Sequence, residues 1–148
     1  MSSVLTKEMA EFNRLYKETD NIYTRYAASQ GISTTTLCVL YSLYISETPC
    51  TQTQLVEDWG IPMQTIHSCL KSIEKSGMVR LEFAEGNRKN KYILLTSKGS
   101  ETAERIIAPL VKAENNAMDA LEAEQRQLLM EVTRKHAQLL QTFLCAER

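Results

Sequence analysis

Histidine is nearly absent from this 148-residue chain, occurring only as His67 and His136. The four cysteines, Cys38, Cys50, Cys69 and Cys145, are scattered and form no CxxC pair. A zinc site needs thiols or imidazoles clustered at short spacing, so no metal site is expected. With five glycines in all, no phosphate-cradling loop is written in the chain. No spacing pairs a nucleophile with a base. Neither a catalytic residue nor a cofactor is therefore expected. No apolar run approaches the roughly 18 residues of a membrane span. The opening stretch, MSSVLTKEMAEFNRLY, is polar and periodic, unlike a secretion signal. The expected location is the cytoplasm, with no membrane partner.

An excess of charge of one sign is missing too: 17 basic and 18 acidic residues leave a net −1. The distribution is more informative than the sum. Between Ile61 and Tyr92 stand Lys71, Lys75, Arg80, Arg88, Lys89 and Lys91 against Glu74, Glu82 and Glu85, six minus three, a local +3. A phosphate feels such a patch rather than the total.

What the chain has in quantity is periodic apolar residues. Leu5, Met9, Phe12, Tyr16, Tyr23 and Tyr26 form a heptad-like stripe on a helix expected from Leu5 to about Gln30, with Gly31 past its end. Ser33 can cap a second helix to about Ser46, burying Leu37, Leu40, Leu43 and Tyr44. Thr34, Thr35 and Thr36 are poor material for its first turn. Pro49 blocks continuation, and Thr51 with Gln54 has the spacing of a capping box. The short helix they open carries Leu55, Val56 and Trp59 and stops at Gly60. Pro62 suits the start of the next, which runs to about Ser76 before Gly77. The period then changes to two: Val79, Leu81 and Phe83 alternate with Arg80, Glu82 and Ala84. GNRKN reads as a polar turn and KYILL as a returning strand, a hairpin with a basic tip. Thr96 caps a further helix with Ala103, Ile107, Leu110 and Ala117 on its stripe and Pro109 as a kink point. A break near Asp119 precedes a last helix bearing Leu121, Leu128, Val132, Leu139 and Phe143.

Two helices joined by a tight glycine-containing turn make a helix-turn-helix. The inward face of its second helix is Ile66, Cys69, Leu70 and Ile73. Gln64, Thr65, His67, Ser68, Lys71, Ser72 and Lys75 then face outward. Glutamine can pair with adenine, threonine offers a methyl to thymine, and serine and lysine suit phosphate or guanine. A hairpin directly after this helix makes the arrangement winged, with Asn87, Arg88, Lys89, Asn90 and Lys91 able to approach a phosphate backbone. His67 has no metal-ligating neighbour at helical spacing. Cys69, on the inward face, is expected to stay protonated and inert.

On CTQTQLVEDWGI, PMQTIHSCLKSIEKSGMV, the wing and LLTSKG, nearly the whole chain resembles the MarR family of bacterial transcription regulators. The resemblance implies a mainly α fold with a small β-hairpin wing. A winged helix-turn-helix core, about 33–96, would sit in one domain of 1–148 with dimerisation helices at about 4–30 and 97–146. It implies a homodimer that binds a pseudo-palindromic site on double-stranded DNA. The expected regulator is a repressor released by a small aromatic ligand, whose pocket would involve Tyr16, Tyr23, Tyr26, Cys38 and Tyr41. DNA-reading residues are expected at Gln64, Thr65, His67, Ser68, Lys71 and Lys75, with Asn87, Arg88, Lys89 and Lys91 on the wing. The chain departs from the family at Pro62, where a capping serine or threonine is usual. It departs again at Ser68, where arginine is usual, and at Asn87-Arg88-Lys89, where Asp-x-Arg is usual. The alternative functions are a winged-helix protein-interaction module and a thiol-based redox-sensing regulator.

Overall fold

The computed structural model describes residues 4–146, apart from the side chains of Ala84, Asn87 and Arg88. Helix α1 (Lys7–Ser29) begins at Thr6, whose hydroxyl accepts from the Met9 amide at 3.1 Å. It ends two residues before Gly31, whose φ of 72° lets Ile32 N–H reach back to the Ala27 carbonyl. Helix α2 (Thr34–Ile45) forms despite its threonine run because Ser33 caps it, accepting from Thr36 N–H at 3.0 Å. Leu37 and Leu40 are buried as expected. Leu43 and Tyr44 are only half-buried, and Val39 and Ser42 take the inner places instead.

Strand β1 (Cys50–Thr51) leads directly into α3 (Gln52–Trp59). The capping box is complete, with Thr51 accepting from Gln54 N–H and the Gln54 side chain accepting from Thr51 N–H at 2.9 Å. Trp59 donates its indole N–H to Ser42 Oγ at 2.7 Å, which satisfies the buried serine and ties α3 to α2. After Gly60 the chain turns into α4 (Met63–Lys75). Strands β2 (Val79–Ala84) and β3 (Asn87–Leu95) follow, and the sheet order is β1-β3-β2, all antiparallel. The core binds these elements together: Val39, Leu55, Ile66, Leu70, Ile73, Val79 and Ile93 form one buried cluster.

The wing corrects the sequence reading. GNRKN is not a turn: Asn87, Arg88, Lys89 and Asn90 all belong to β3, and Glu85–Gly86 make the apex. Gly86, at φ 75°, permits a reversal that tight. Pairing then jumps from Phe83–Lys91 to Ala84–Asn87, so Arg88, Lys89 and Asn90 bulge with no β2 residue between to face them. Strand β1 was also not expected, since two residues show no periodicity and only Tyr92 and Ile93 across the ladder define them.

Helix α5 (Ser97–Asp119) starts at Thr96, whose hydroxyl accepts from Gly99 N–H at 3.0 Å. It carries Pro109 without interruption. Ala103, Ile107 and Leu110 are buried, joined by Ile106, but Ala117 is exposed. Helix α6 (Ala123–Ala146) buries none of its described residues. Arg126 secures the α5–α6 corner by donating to the Leu121 carbonyl at 2.6 Å. The chain divides into two compact units, 1–108 and 109–148, the division falling within α5 at Pro109. No helix among the described residues is long and apolar enough to cross a membrane.

Gly99 is required by a close approach. A Cβ there would lie 1.8 Å from the Met78 carbonyl oxygen, an impossible distance to backbone. Gly99→Ala is expected to cost about 3 kcal/mol through forced displacement of α5. Gly60→Ala, where a Cβ meets nothing within 4 Å and only the left-handed backbone objects, is expected to cost about 1 kcal/mol. Urea-unfolding midpoints of the two variants check the order.

Candidate nucleic-acid interface

Helix α4 is held by its inner face. Ile66, Leu70 and Ile73 are buried and Cys69 half-buried, as the spacing requires. Gln64, Thr65, His67, Ser68, Lys71, Ser72 and Lys75 are all exposed on the other side. Pro62 gives the helix no side-chain cap, although its carbonyl accepts from Thr65 and Ile66 N–H at 3.0 and 3.1 Å. The far end closes with Gly77 at φ 77°, Gly77 N–H on the Glu74 carbonyl and Met78 N–H on the Ile73 carbonyl, both at 2.9 Å.

Beside α4 lies a groove of about 300 Å3. Its walls are Thr51, Gln52 and Thr53 at the start of α3, Met63, His67 and Lys71 on α4, and Lys89, Asn90 and Lys91 on β3. Leu70, Leu81 and Ile93 supply its apolar lining, and no acidic residue lines it among those described. The Gln52 amide donates to Met63 Sδ at 2.9 Å, bracing the start of α3 against the start of α4. Arg80 and Glu82, which alternate with Leu81 and Phe83, pair at 3.0 Å and cancel one another on the opposite side of β2.

The structure thus brings four of the expected residues, His67, Lys71, Lys89 and Lys91, around one concavity. Gln64, Thr65, Ser68 and Lys75 share the exposed side of α4 without lining the groove. For Asn87 and Arg88 the backbone lies in the wing, but their side chains fall outside those described. Gln52 and Thr53 were missed. The capping box was their signal, since it marks them as the first residues of a helix and so places them at its polar end.

Of the five residues of the expected ligand pocket, Tyr26 and Tyr41 make contacts that tie elements together. Tyr26 donates its hydroxyl to the Ile106 carbonyl at 2.6 Å, tying α1 to α5. Tyr41 meets Trp59 edge-on, ring centroids 5.9 Å apart. Tyr16 is exposed, and Tyr23 and Cys38 are half-buried. Neither the groove nor a second hollow of about 220 Å3 near Pro49 is lined by any of them.

Residues 30–89 match a family profile described as MarR family. No curated protein sequence matches the chain. Among solved structures, the chain is similar to a MarR family regulator from Neisseria meningitidis, at 17% identity and TM-score 0.82, with 97% of this chain and 100% of that one covered. It is similar to a MarR family transcriptional regulator from Streptomyces coelicolor solved in complex with DNA, at 25% identity and TM-score 0.69, covering 90% and 89%. It is also similar to MepR of S. aureus in its DNA-binding conformation, at 16% identity and TM-score 0.76, covering 91% and 99%.

Burial pushes the Cys38 and Cys69 thiols up from the ordinary value; at Cys69 the Thr36 hydroxyl, 3.5 Å from Sγ, offsets part of this. A raised thiol pKa keeps the neutral, unreactive form at pH 7 and delays the thiolate to more alkaline pH. Iodoacetamide at pH 7 is therefore expected to modify exposed Cys145 at least about tenfold faster than Cys38 or Cys69. Raising the pH above 9 should narrow the gap. Peptide mass mapping over time checks both statements.

Proposed function

We propose that the chain, whose residues 30–89 match the MarR family profile, is a non-enzymatic regulator of transcription that binds double-stranded DNA. The observation that carries the reading is the acid-free groove, with His67 and Lys71 of α4 facing Lys89 and Lys91 of the wing. A phosphate backbone passing between a helix in the major groove and a wing beside it meets such a surface. Gln64, Thr65, His67 and Ser68 face base edges. Lys71, Lys75, Asn87, Arg88, Lys89 and Lys91 take phosphates. The presence of DNA in the S. coelicolor structure supports this reading.

The helices outside the core support a homodimer. On α1 the exposed side chains include Phe12, Leu15, Tyr16 and Ile22. On α6 they include Leu128, Val132, Leu139, Leu140 and Phe143, the last 67% exposed. Apolar area on this scale is not left in water by a monomer. Two copies joined through helices 4–30 and 97–146 hold two cores, each about 33–96, in one assembly. Their two α4 helices meet a pseudo-palindrome with half-sites about 34 Å apart. The regulator acts in the cytoplasm as a repressor. A small aromatic ligand near Tyr16, Tyr23, Tyr26, Cys38 and Tyr41 releases it by favouring a dimer whose α4 helices no longer fit successive grooves.

Selection of bound duplexes from a random pool at two salt concentrations is expected to return a pseudo-palindrome, bound less tightly at the higher salt. Replacing Arg88 and Lys89 together by alanine should weaken binding about ten- to a hundredfold and lower the salt slope by about four, two cations being lost from each of the two subunits. A pool without consensus, or a double variant that binds as wild type does, would contradict the reading and turn the search toward protein partners.

Leu140→Arg with Phe143→Arg is expected to raise the dimer dissociation constant about a hundredfold or more by placing charge on the apolar face. Sedimentation velocity reads the state of the chain. The same variant should lose binding to the two-half-site duplex, because each copy then offers one helix.

A further inference from the structure

Phe83 is a large apolar side chain in a place that does not bury it. Alternation along β2 puts Val79, Leu81 and Phe83 on one face, opposite Leu95, Ile93 and Lys91 of β3. At its foot this face belongs to the core, where Val79 and Ile93 are buried. One pair outward, Leu81 is half-buried. At Phe83 the wing has run past the core and the residue is 59% exposed. The group over the ring is the ammonium of its cross-strand partner Lys91, 4.9 Å from the ring centroid.

Lys91 also lines the groove that holds Lys71 and His67. A lysine on an exposed strand otherwise spreads its charge over many rotamers. The negative face of an aromatic ring attracts the ammonium and narrows that spread. An acidic partner would do the same but cancel the charge, as Glu82 does to Arg80 at 3.0 Å. A phenyl ring restrains the cation and leaves its charge for another anion.

We propose that Phe83 is a positioning residue, which holds the Lys91 ammonium at the groove for one phosphate of the DNA backbone without touching DNA itself. This rests on the reading of the chain as a DNA-binding regulator. It assigns a function to an exposed aromatic that neither core packing nor base recognition uses.

Two readouts test it on the full-length protein. In the free protein labelled with 13C-lysine, the ring current of Phe83 should shift the Lys91 ε-methylene signal. Phe83→Leu should abolish that shift and Phe83→Tyr should retain it. With a mixed-sequence, end-labelled duplex titrated across salt, Phe83→Leu should bind about two- to fivefold more weakly. Its salt slope should move toward that of Lys91→Ala, which is lower than wild type by about two, one contact from each subunit. Phe83→Tyr should bind as wild type. In the Lys91→Ala background, Phe83→Leu should have no further effect. If Phe83→Leu loses the shift yet binds as wild type, the inference is overturned. If it weakens binding equally with Lys91 already removed, the ring touches DNA and the inference is overturned as well. Wild type that shows no salt-dependent duplex binding would take down the regulator reading and the inference with it, and is told apart because the failure is then wild type's own. Thermal melting followed by circular dichroism establishes that each variant folds.

Discussion

The carbonyl oxygen of Met78 sits where four parts of the chain meet. Met78 N–H closes the end of α4 on the Ile73 carbonyl. Its carbonyl accepts from Thr96 N–H at 3.1 Å, while the Thr96 hydroxyl donates to the adjacent Gly77 carbonyl at 2.5 Å and lies 3.2 Å from the Met78 oxygen. Lys98 adds its ammonium to the neighbouring Ser76 carbonyl at 2.6 Å, which suits a cation at a helix C-terminus. Gly99 lets the first turn of α5 lie directly against this backbone. The two wing strands have their feet here, since Val79 pairs with Leu95. The end of α4, the base of the wing and the start of α5 are thus one joint. The groove is the space that this joint holds open between α4 and β3.

Charge is sorted across the wing rather than accumulated in the chain. With a net charge of −1, the field that a polyanion would feel is set by where the cations stand and not by their sum. On the outer face of β2, Arg80 is matched by Glu82. On the groove side stand Lys71, Lys89 and Lys91 with no acidic lining residue among those described. The bulge serves this arrangement at Lys89 and Asn90, because extra residues on one strand re-aim side chains, and both of these line the groove. Glu85 is left at the apex, so the basic character belongs to the returning strand and not to the tip.

Much of this was legible in the residues. Every helix announced itself by period and punctuation: Ser33, Thr51 and Thr96 cap where their spacing says they should, and Gly31, Gly60 and Gly77 stop helices by taking positive φ. The inner face of α4 followed from Ile66, Leu70 and Ile73. Errors arose where a residue's state depends on a distant partner. GNRKN has turn composition, yet pairing with β2 at Asn87 and Lys91 brackets Arg88 to Asn90 within a strand. Ala117 has the right spacing for the α5 stripe but lies beyond the buried stretch. The capping box marks Gln52 and Thr53 as the start of a helix, but only the fold sets them in one groove with Lys89 and Lys91.

Local physics decided the element order, because caps, glycine stops and apolar periods act over three to seven residues and need nothing beyond the segment itself. The sequence by itself therefore determined the succession of four helices, hairpin and two helices, and which side of α4 faces water. The tertiary structure alone decided the rest. The Gly99–Met78 contact joins residues 21 positions apart, and the groove joins residues from Thr51 to Ile93. The ring of Phe83 reaches Lys91 only through the register of the hairpin. Each of these depends on how segments remote in the chain pack, and packing responds to the shape of every neighbour at once.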